Sequence, residues 1–183
     1  VSGAGAATAT VVTCAAMTRV LRDEALALLA DFLQGDSHYL ASSTAYGDGG
    51  CDALARSLDL FLARPELGFV WLAFAEENGA RPAVGACVVC HAISTSRGTL
   101  VARLDDVTIA RAWQGRGVGS AMLAALCDDL RGRGITRIDT ACHRDNIGAW
   151  RFYERLGFRS LDEVRIALLL DRESAGSPCA ASH

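Results

Sequence analysis

Along the chain, the spacing of apolar positions changes period several times. Residues 10–16, TVVTCAA, predict a short strand. From Thr18 the period becomes helical, with Val20, Leu21, Ala25, Leu28, Leu29 and Phe32 on one face of a helix ending near Gly35. Residues 52–63 resume that period with Ala53, Leu54, Leu58, Phe61 and Leu62, until Pro65. Between the two helices, residues 34–50 (QGDSHYLASSTAYGDGG) break regular structure. A loop of that length in a compact domain tends to be functional or disordered. Strand-like runs follow at 68–77, 83–94 and 99–110, the first closed by the turn Glu77-Asn78-Gly79-Ala80. Such short intervals predict antiparallel hairpins. A helix over 118–130, a strand over 135–142, a helix from about Asn146 to Leu156 and one or two strands in 158–170 complete the pattern. The expectation is one mixed α+β domain over residues 1–170, with an unstructured tail at 171–183.

Composition narrows the class. With 51% apolar and 21% charged residues the chain is globular. No apolar run is long enough to span a bilayer, and the first residues lack the basic and apolar regions of a secretory signal. A cytoplasmic protein without a membrane partner is expected. A net charge of −3 argues against nucleic-acid binding through a basic face. The charge is unevenly spread: residues 1–110 hold 7 Arg and 12 acids, residues 111–165 hold 10 Arg and 7 acids. An acidic first part and a basic later part suit a cationic group at one and an anionic group at the other.

The seven cysteines include Cys87-Val88-Val89-Cys90-His91, the spacing that attaches a c-type haem. In a strand, however, an offset of three puts the two thiols on opposite faces with Cα atoms about 10 Å apart. That excludes a disulfide or a shared metal between them. The stretch reads as a strand, with no haem and no metal.

Residues 104–120, LDDVTIARAWQGRGVGS, run from a strand through a Gly-rich turn into a helix. Gly115, Gly117 and Gly119 permit a sharp turn and clear the helix entrance, where free amides and the helix dipole favour phosphate oxygens. Arg116 can add a charge-assisted contact. A Walker-type loop is excluded because the chain contains no Lys. A dinucleotide fold fits poorly, since Ser120 stands where its third small residue belongs, although Asp139 follows at a suitable distance.

Gln114-Gly115-Arg116-Gly117-Val118-Gly119 resembles the Q/R-x-x-G-x-G/A signature of the GNAT superfamily of acyl-CoA-dependent N-acetyltransferases. Asn146, Ala149 and Tyr153 through Gly157-Phe158 are similar to that family's second signature. The resemblance implies a central, mostly antiparallel sheet of about six to seven strands flanked by about four helices. It implies acetyl-CoA as co-substrate, with its pyrophosphate on the amides of Gln114, Gly115, Arg116, Gly117, Val118, Gly119 and Ser120. The pantetheine arm would lie along Val107, Thr108 and Ile109 where that strand splays from its neighbour, and Asn146 would touch the cofactor. Tyr153 would protonate the departing thiolate.

LDDVTI is similar to the acidic strand of diamine acetyltransferases, where the residue matching Asp105 faces the acceptor. Asp105 is therefore expected to be the base or the ammonium anchor for direct attack through a tetrahedral intermediate. Since adjacent strand residues point to opposite faces, one of Asp105 and Asp106 should reach the site. The acceptor would be a small-molecule or peptide amine, lined by Asp36, His38, Tyr39 and Tyr46 of the acidic loop. A polyamine, amino acid, aminoglycoside or protein N-terminus would suit an acidic groove, and a homodimer is compatible with the resemblance. A non-catalytic acyl-CoA sensor is the alternative within the same fold.

Overall fold

The computed structural model describes residues 11–40 and 49–168. Its centre is a sheet of five strands, β1 (Val12–Ala16), β2 (Gly68–Ala75), β3 (Ala83–Ser94), β4 (Thr99–Ile109) and β5 (Ile138–Thr140), in the spatial order β1-β2-β3-β4-β5. The first four form the expected antiparallel meander, and β5 joins β4 in parallel. The predicted turn closes β2 onto β3 with Asn78 and Gly79 at φ of 51° and 78°, the left-handed pair a tight hairpin needs. Helices α1 (Arg22–Gly35) and α2 (Gly50–Ala63) lie between β1 and β2 in sequence, and α3 (Val118–Gly132) and α4 (Ile147–Arg155) flank β5.

Each face of the sheet has its own core. On one, Trp71, Val89, Leu104 and Cys87 pack with Leu123, Leu126 and Tyr153 from α3 and α4. On the other, Val70, Leu72, Ala86 and Val88 pack with Leu29, Leu54 and Leu58 from α1 and α2. This double covering explains why β2, GFVWLAFA, is buried at every position and carries no polar side chain. Cys87 belongs to the first core and Cys90 lies against the second, so the two thiols do face opposite ways. Arg22 clamps α1 to α2 through a forked pair with Asp59, its Nε and Nη2 donating at 2.5 and 3.0 Å.

The expected sixth and seventh strands are not found among the described residues. Residues 158–168 run without strand pairing, leaving Val164, Ile166 and Leu168 exposed at 79%, 89% and 84%. Their alternation is strand-like, but alternation becomes a strand only where a neighbour supplies hydrogen bonds. The strand expected over 135–142 contracts to three residues for the same reason: it pairs with β4 at Ala102, Arg103 and Leu104 and then stops. The proposed tail and the centre of the 34–50 loop, including Tyr46, lie outside the described residues.

Gly68 opens β2 at φ 146°, and a Cβ there would stand 2.0 Å from the Val89 carbonyl oxygen. Gly68→Ala should therefore cost about 3 kcal/mol or more in urea denaturation. Gly35→Ala, which meets nothing within 4 Å, should stay within about 1 kcal/mol of wild type.

Candidate active site

The site is organised by the place where β4 and β5 part. Their last pair is Leu104 with Thr140, reinforced by the Thr140 hydroxyl donating to the Leu104 carbonyl at 3.2 Å. β4 continues to Ile109 while β5 ends, so Asp105 through Ile109 have no strand partner on that side among the described residues. Val107, Thr108 and Ile109 thus lie on an opened strand edge, as a splay requires.

The Gly-rich turn follows directly. A 3-10 turn at Arg111–Trp113 leads into it, and the Gln114 side-chain amide donates to the Ile109 carbonyl at 3.0 Å, tying the turn to the strand end. Gly115 and Gly117 adopt φ of 72° and 82°, a region other residues enter only with strain. The first bond of α3 runs from the Ala121 amide to the Gly117 carbonyl at 3.0 Å, leaving the preceding turn of amides to outside acceptors. Gly119 works differently: a Cβ there would meet the Phe152 ring at 3.3 Å and Ile109 at 3.5 Å, so its absence lets α3, α4 and β4 converge. Arg116 lies over the Trp113 ring at 5.0 Å, which holds its guanidinium beside the turn. This cradle fits a pyrophosphate, with Val118 and Ser120 in the first helical turn.

Asn146 caps α4, its Oδ1 accepting from the Ala149 amide at 3.0 Å. The cap orients the helix that carries Tyr153. Tyr153 is buried to 7% exposure, among Phe152, Phe158 and Thr140. Burial pushes its phenol up to about 12, partly opposed by a hydrogen bond with Thr140. The hydroxyl therefore stays protonated through any physiological pH, beside the residue that ends the β4–β5 pairing.

On the opposite face, Asp105 and Asp106 both line a cavity of about 250 Å³ between α1, α2 and the sheet. The expected alternation fails here for a local reason. The β3–β4 register shifts between Ala86 and Val88, and Asp106 sits in the left-handed region at φ 43°. This β-bulge re-aims one carboxylate so that neighbours share a face. Their environments differ. The Arg103 Nε and Nη2 donate to Asp105 Oδ2 at 3.2 and 2.9 Å, Arg165 lies 3.9 Å from Oδ1, and the Cys90 thiol is 3.9 Å from Oδ2. Asp106 is raised to about 6, chiefly by desolvation and then by the neighbouring Asp105 charge, with Arg165 opposing.

Of the loop residues, Tyr39 lines the cavity. Asp36 accepts from the Tyr39 amide at 2.8 Å, a local turn contact. His38 stacks on His143 with ring centroids 5.3 Å apart. Of the other cavity walls, Leu54, Leu58 and Phe61 read in sequence as ordinary core positions of an amphipathic helix, and Leu33 is not among the positions read on the apolar face of the first helix. Thr140 carried no sequence signal.

The Acetyltransferase (GNAT) family model matches residues 36–158. The chain belongs to the GNAT acetyltransferase family. Among its relatives, glucosamine 6-phosphate N-acetyltransferase of Trypanosoma brucei brucei is 27% identical over 97 residues, covering 53% of this chain and 64% of that protein. An uncharacterized N-acetyltransferase of Methanocaldococcus jannaschii is 27% identical over 104 residues, covering 53% of this chain and 46% of the relative. Both matches therefore span less than two thirds of the relative. Among solved structures, an aminoglycoside N-acetyltransferase in complex with CoA superposes with a TM-score of 0.66 at 14% identity, covering 91% of this chain and 99% of that one. The GNAT fold, with its antiparallel strands ahead of the Gly-rich turn, replaces the dinucleotide-binding alternative; Asp139 pairs with Arg137 at 3.0 Å.

The raised Asp106 carries a stability signature. A carboxyl whose folded-state value exceeds its unfolded one favours folding less as pH rises through the interval between them, here about 4 to 6. Asp106→Asn should therefore stabilise the protein at pH 8 by about 2–3 kcal/mol and be near neutral at pH 4, measured by urea denaturation at both values.

Proposed function

We propose that this protein is an N-acetyltransferase that moves acetyl from acetyl-CoA to a primary amine. The observation that carries the reading is the gap beyond Leu104 and Thr140, with Tyr153 packed on one face of the sheet and the two carboxylates on the other. A donor on the Gly-rich cradle and an acceptor in the cavity would meet there. The family match and the CoA-bound fold neighbour support the same assignment.

The co-substrate supplies an activated thioester carbonyl. The amides of Gln114 to Ser120 would hold its pyrophosphate, the unpaired edge at Val107, Thr108 and Ile109 its arm, and Asn146 would contact it through its side-chain nitrogen. Asp106 removes the ammonium proton, since desolvation brings its affinity for that proton close to neutrality. Asp105, paired with Arg103 at 2.9 Å, anchors the ammonium beside it. Tyr153 holds its proton at Oη for the leaving sulfur. This assigns Asp105 the anchoring half of its expected role and moves the basic half to Asp106.

Calorimetric titration of acetyl-CoA, followed by CoA release with an amine panel, tests the activity. kcat should rise through about pH 6 and stay level to at least pH 9, because Tyr153 titrates near 12. Asp106→Asn should remove that rise and lower kcat about 10²-fold or more. Tyr153→Phe should lower kcat similarly while leaving the acetyl-CoA dissociation constant within a few-fold. Binding without CoA release on any amine would instead indicate an acyl-CoA sensor.

A further inference from the structure

The cavity that receives the acceptor is mostly apolar. Leu33, Leu54, Leu58, Phe61 and Val88 form its walls, and its charged lining residues, Asp105 and Asp106, are adjacent at the β4 bulge. The described lining offers few other side-chain hydrogen-bonding groups: Tyr39, and Ser57, whose hydroxyl donates to the Ala53 carbonyl at 3.0 Å. Among the described lining residues, the carboxylates are therefore grouped at one end of the cavity.

We propose that the acceptor is a monoamine with a compact apolar body, an arylalkylamine or branched alkylamine, its ammonium on Asp105 and Asp106 and its hydrocarbon between α1 and α2. The proposal rests on the acetyl-transfer reading above and narrows it. An enclosed apolar cavity of about 150 Å³ accommodates benzene. The larger space here, about 250 Å³, has room for a ring or branched chain plus a short linker. A polyamine would leave its second ammonium against Leu33, Leu54 or Phe61, where no described carboxylate meets it and no ion pair offsets its partial desolvation. An amino sugar would bury several hydroxyls against the same walls at a cumulative penalty. The cavity thus differs in chemistry from what the names of the glucosamine 6-phosphate and aminoglycoside enzymes imply for their acceptors.

The test measures CoA release with 2-phenylethylamine, isoamylamine, ethylamine, spermidine, kanamycin and glucosamine 6-phosphate at pH 8. The expected result is a kcat/KM for 2-phenylethylamine or isoamylamine at least about tenfold above ethylamine, and above every polycationic or sugar amine. Highest efficiency with spermidine, kanamycin or glucosamine 6-phosphate would overturn the proposal and leave acetyl transfer standing. Equal efficiency for ethylamine and 2-phenylethylamine would overturn it in the same way. CoA release with none of them, despite acetyl-CoA binding, would remove the acetyl-transfer reading and the proposal together. Ala53→Phe, which fills the cavity from α2, should collapse the preference for 2-phenylethylamine over ethylamine and leave acetyl-CoA affinity within a few-fold. Ser57→Phe on the same helix gives a second measurement should Ala53→Phe fail to fold, and a preference unchanged by the folded variant would overturn the proposal.

Discussion

The loss of hydrogen-bonded pairing between β4 and β5 after Leu104 and Thr140 is the constraint on which the site depends. A continuous sheet separates its two faces completely, because the backbone ladder fills the space between strands about 4.8 Å apart. Here one face carries the Gly-rich turn and Tyr153, the other the carboxylate-lined cavity. Groups on opposite faces can act on one bond only where the ladder opens. The Thr140 hydroxyl fixes the end of the pairing by bonding the Leu104 carbonyl, and the same threonine contacts the Tyr153 phenol. One side chain therefore couples the apex of the opening to the group that stands beside it.

The fold around the opening keeps it rigid. Two independent cores press on the sheet, and β2 and β3 are largely buried through its middle. Gly119 allows Phe152 and Ile109 each to approach α3 closely, which brings the entrance of α3, the body of α4 and the far end of β4 to one point. On the other face, the forked Arg22–Asp59 pair holds α1 against α2, so the cavity has two walls fixed to each other as well as to the sheet. The cavity lies within the packing of this second layer and opens to solvent beside Gly49, Gly50 and Ser57.

The meander, its turns and the long helices were legible in the sequence because each rests on local period and local turn chemistry. The 83–94 strand and the Asn78-Gly79 turn occur where expected, and the Gly-rich turn identified the cradle through conformational needs that only glycine meets readily. What was not legible depends on pairing across the chain. Alternation assigned Asp105 and Asp106 to opposite faces, and the register shift opposite Cys87 overrode it. The apolar faces of α1 and α2 read as core and are core for most of their length; that Leu33, Leu54 and Phe61 also bound an open space follows from how two helices meet the sheet. The strands expected after Gly157 illustrate the same limit, since their alternating residues find no described neighbour to pair with.

On the mechanism proposed above, function and stability oppose each other at the Asp106 bulge. A non-glycine residue at φ 43° is uncommon, and strain of this kind costs on the order of 1 kcal/mol or more. Its side chain is also desolvated beside a second carboxylate, which makes its ionised form unfavourable in the folded state. Neither feature helps the chain fold. Together they place a carboxylate of near-neutral proton affinity beside Asp105, whose own charge is compensated by Arg103. A regular strand would relieve both costs by turning Asp106 away, and would leave Asp105 as the single carboxylate on the cavity face. On the mechanism proposed above, the division of labour between the two aspartates follows from one extra residue in a strand, where desolvation and the neighbouring carboxylate raise the proton affinity of Asp106.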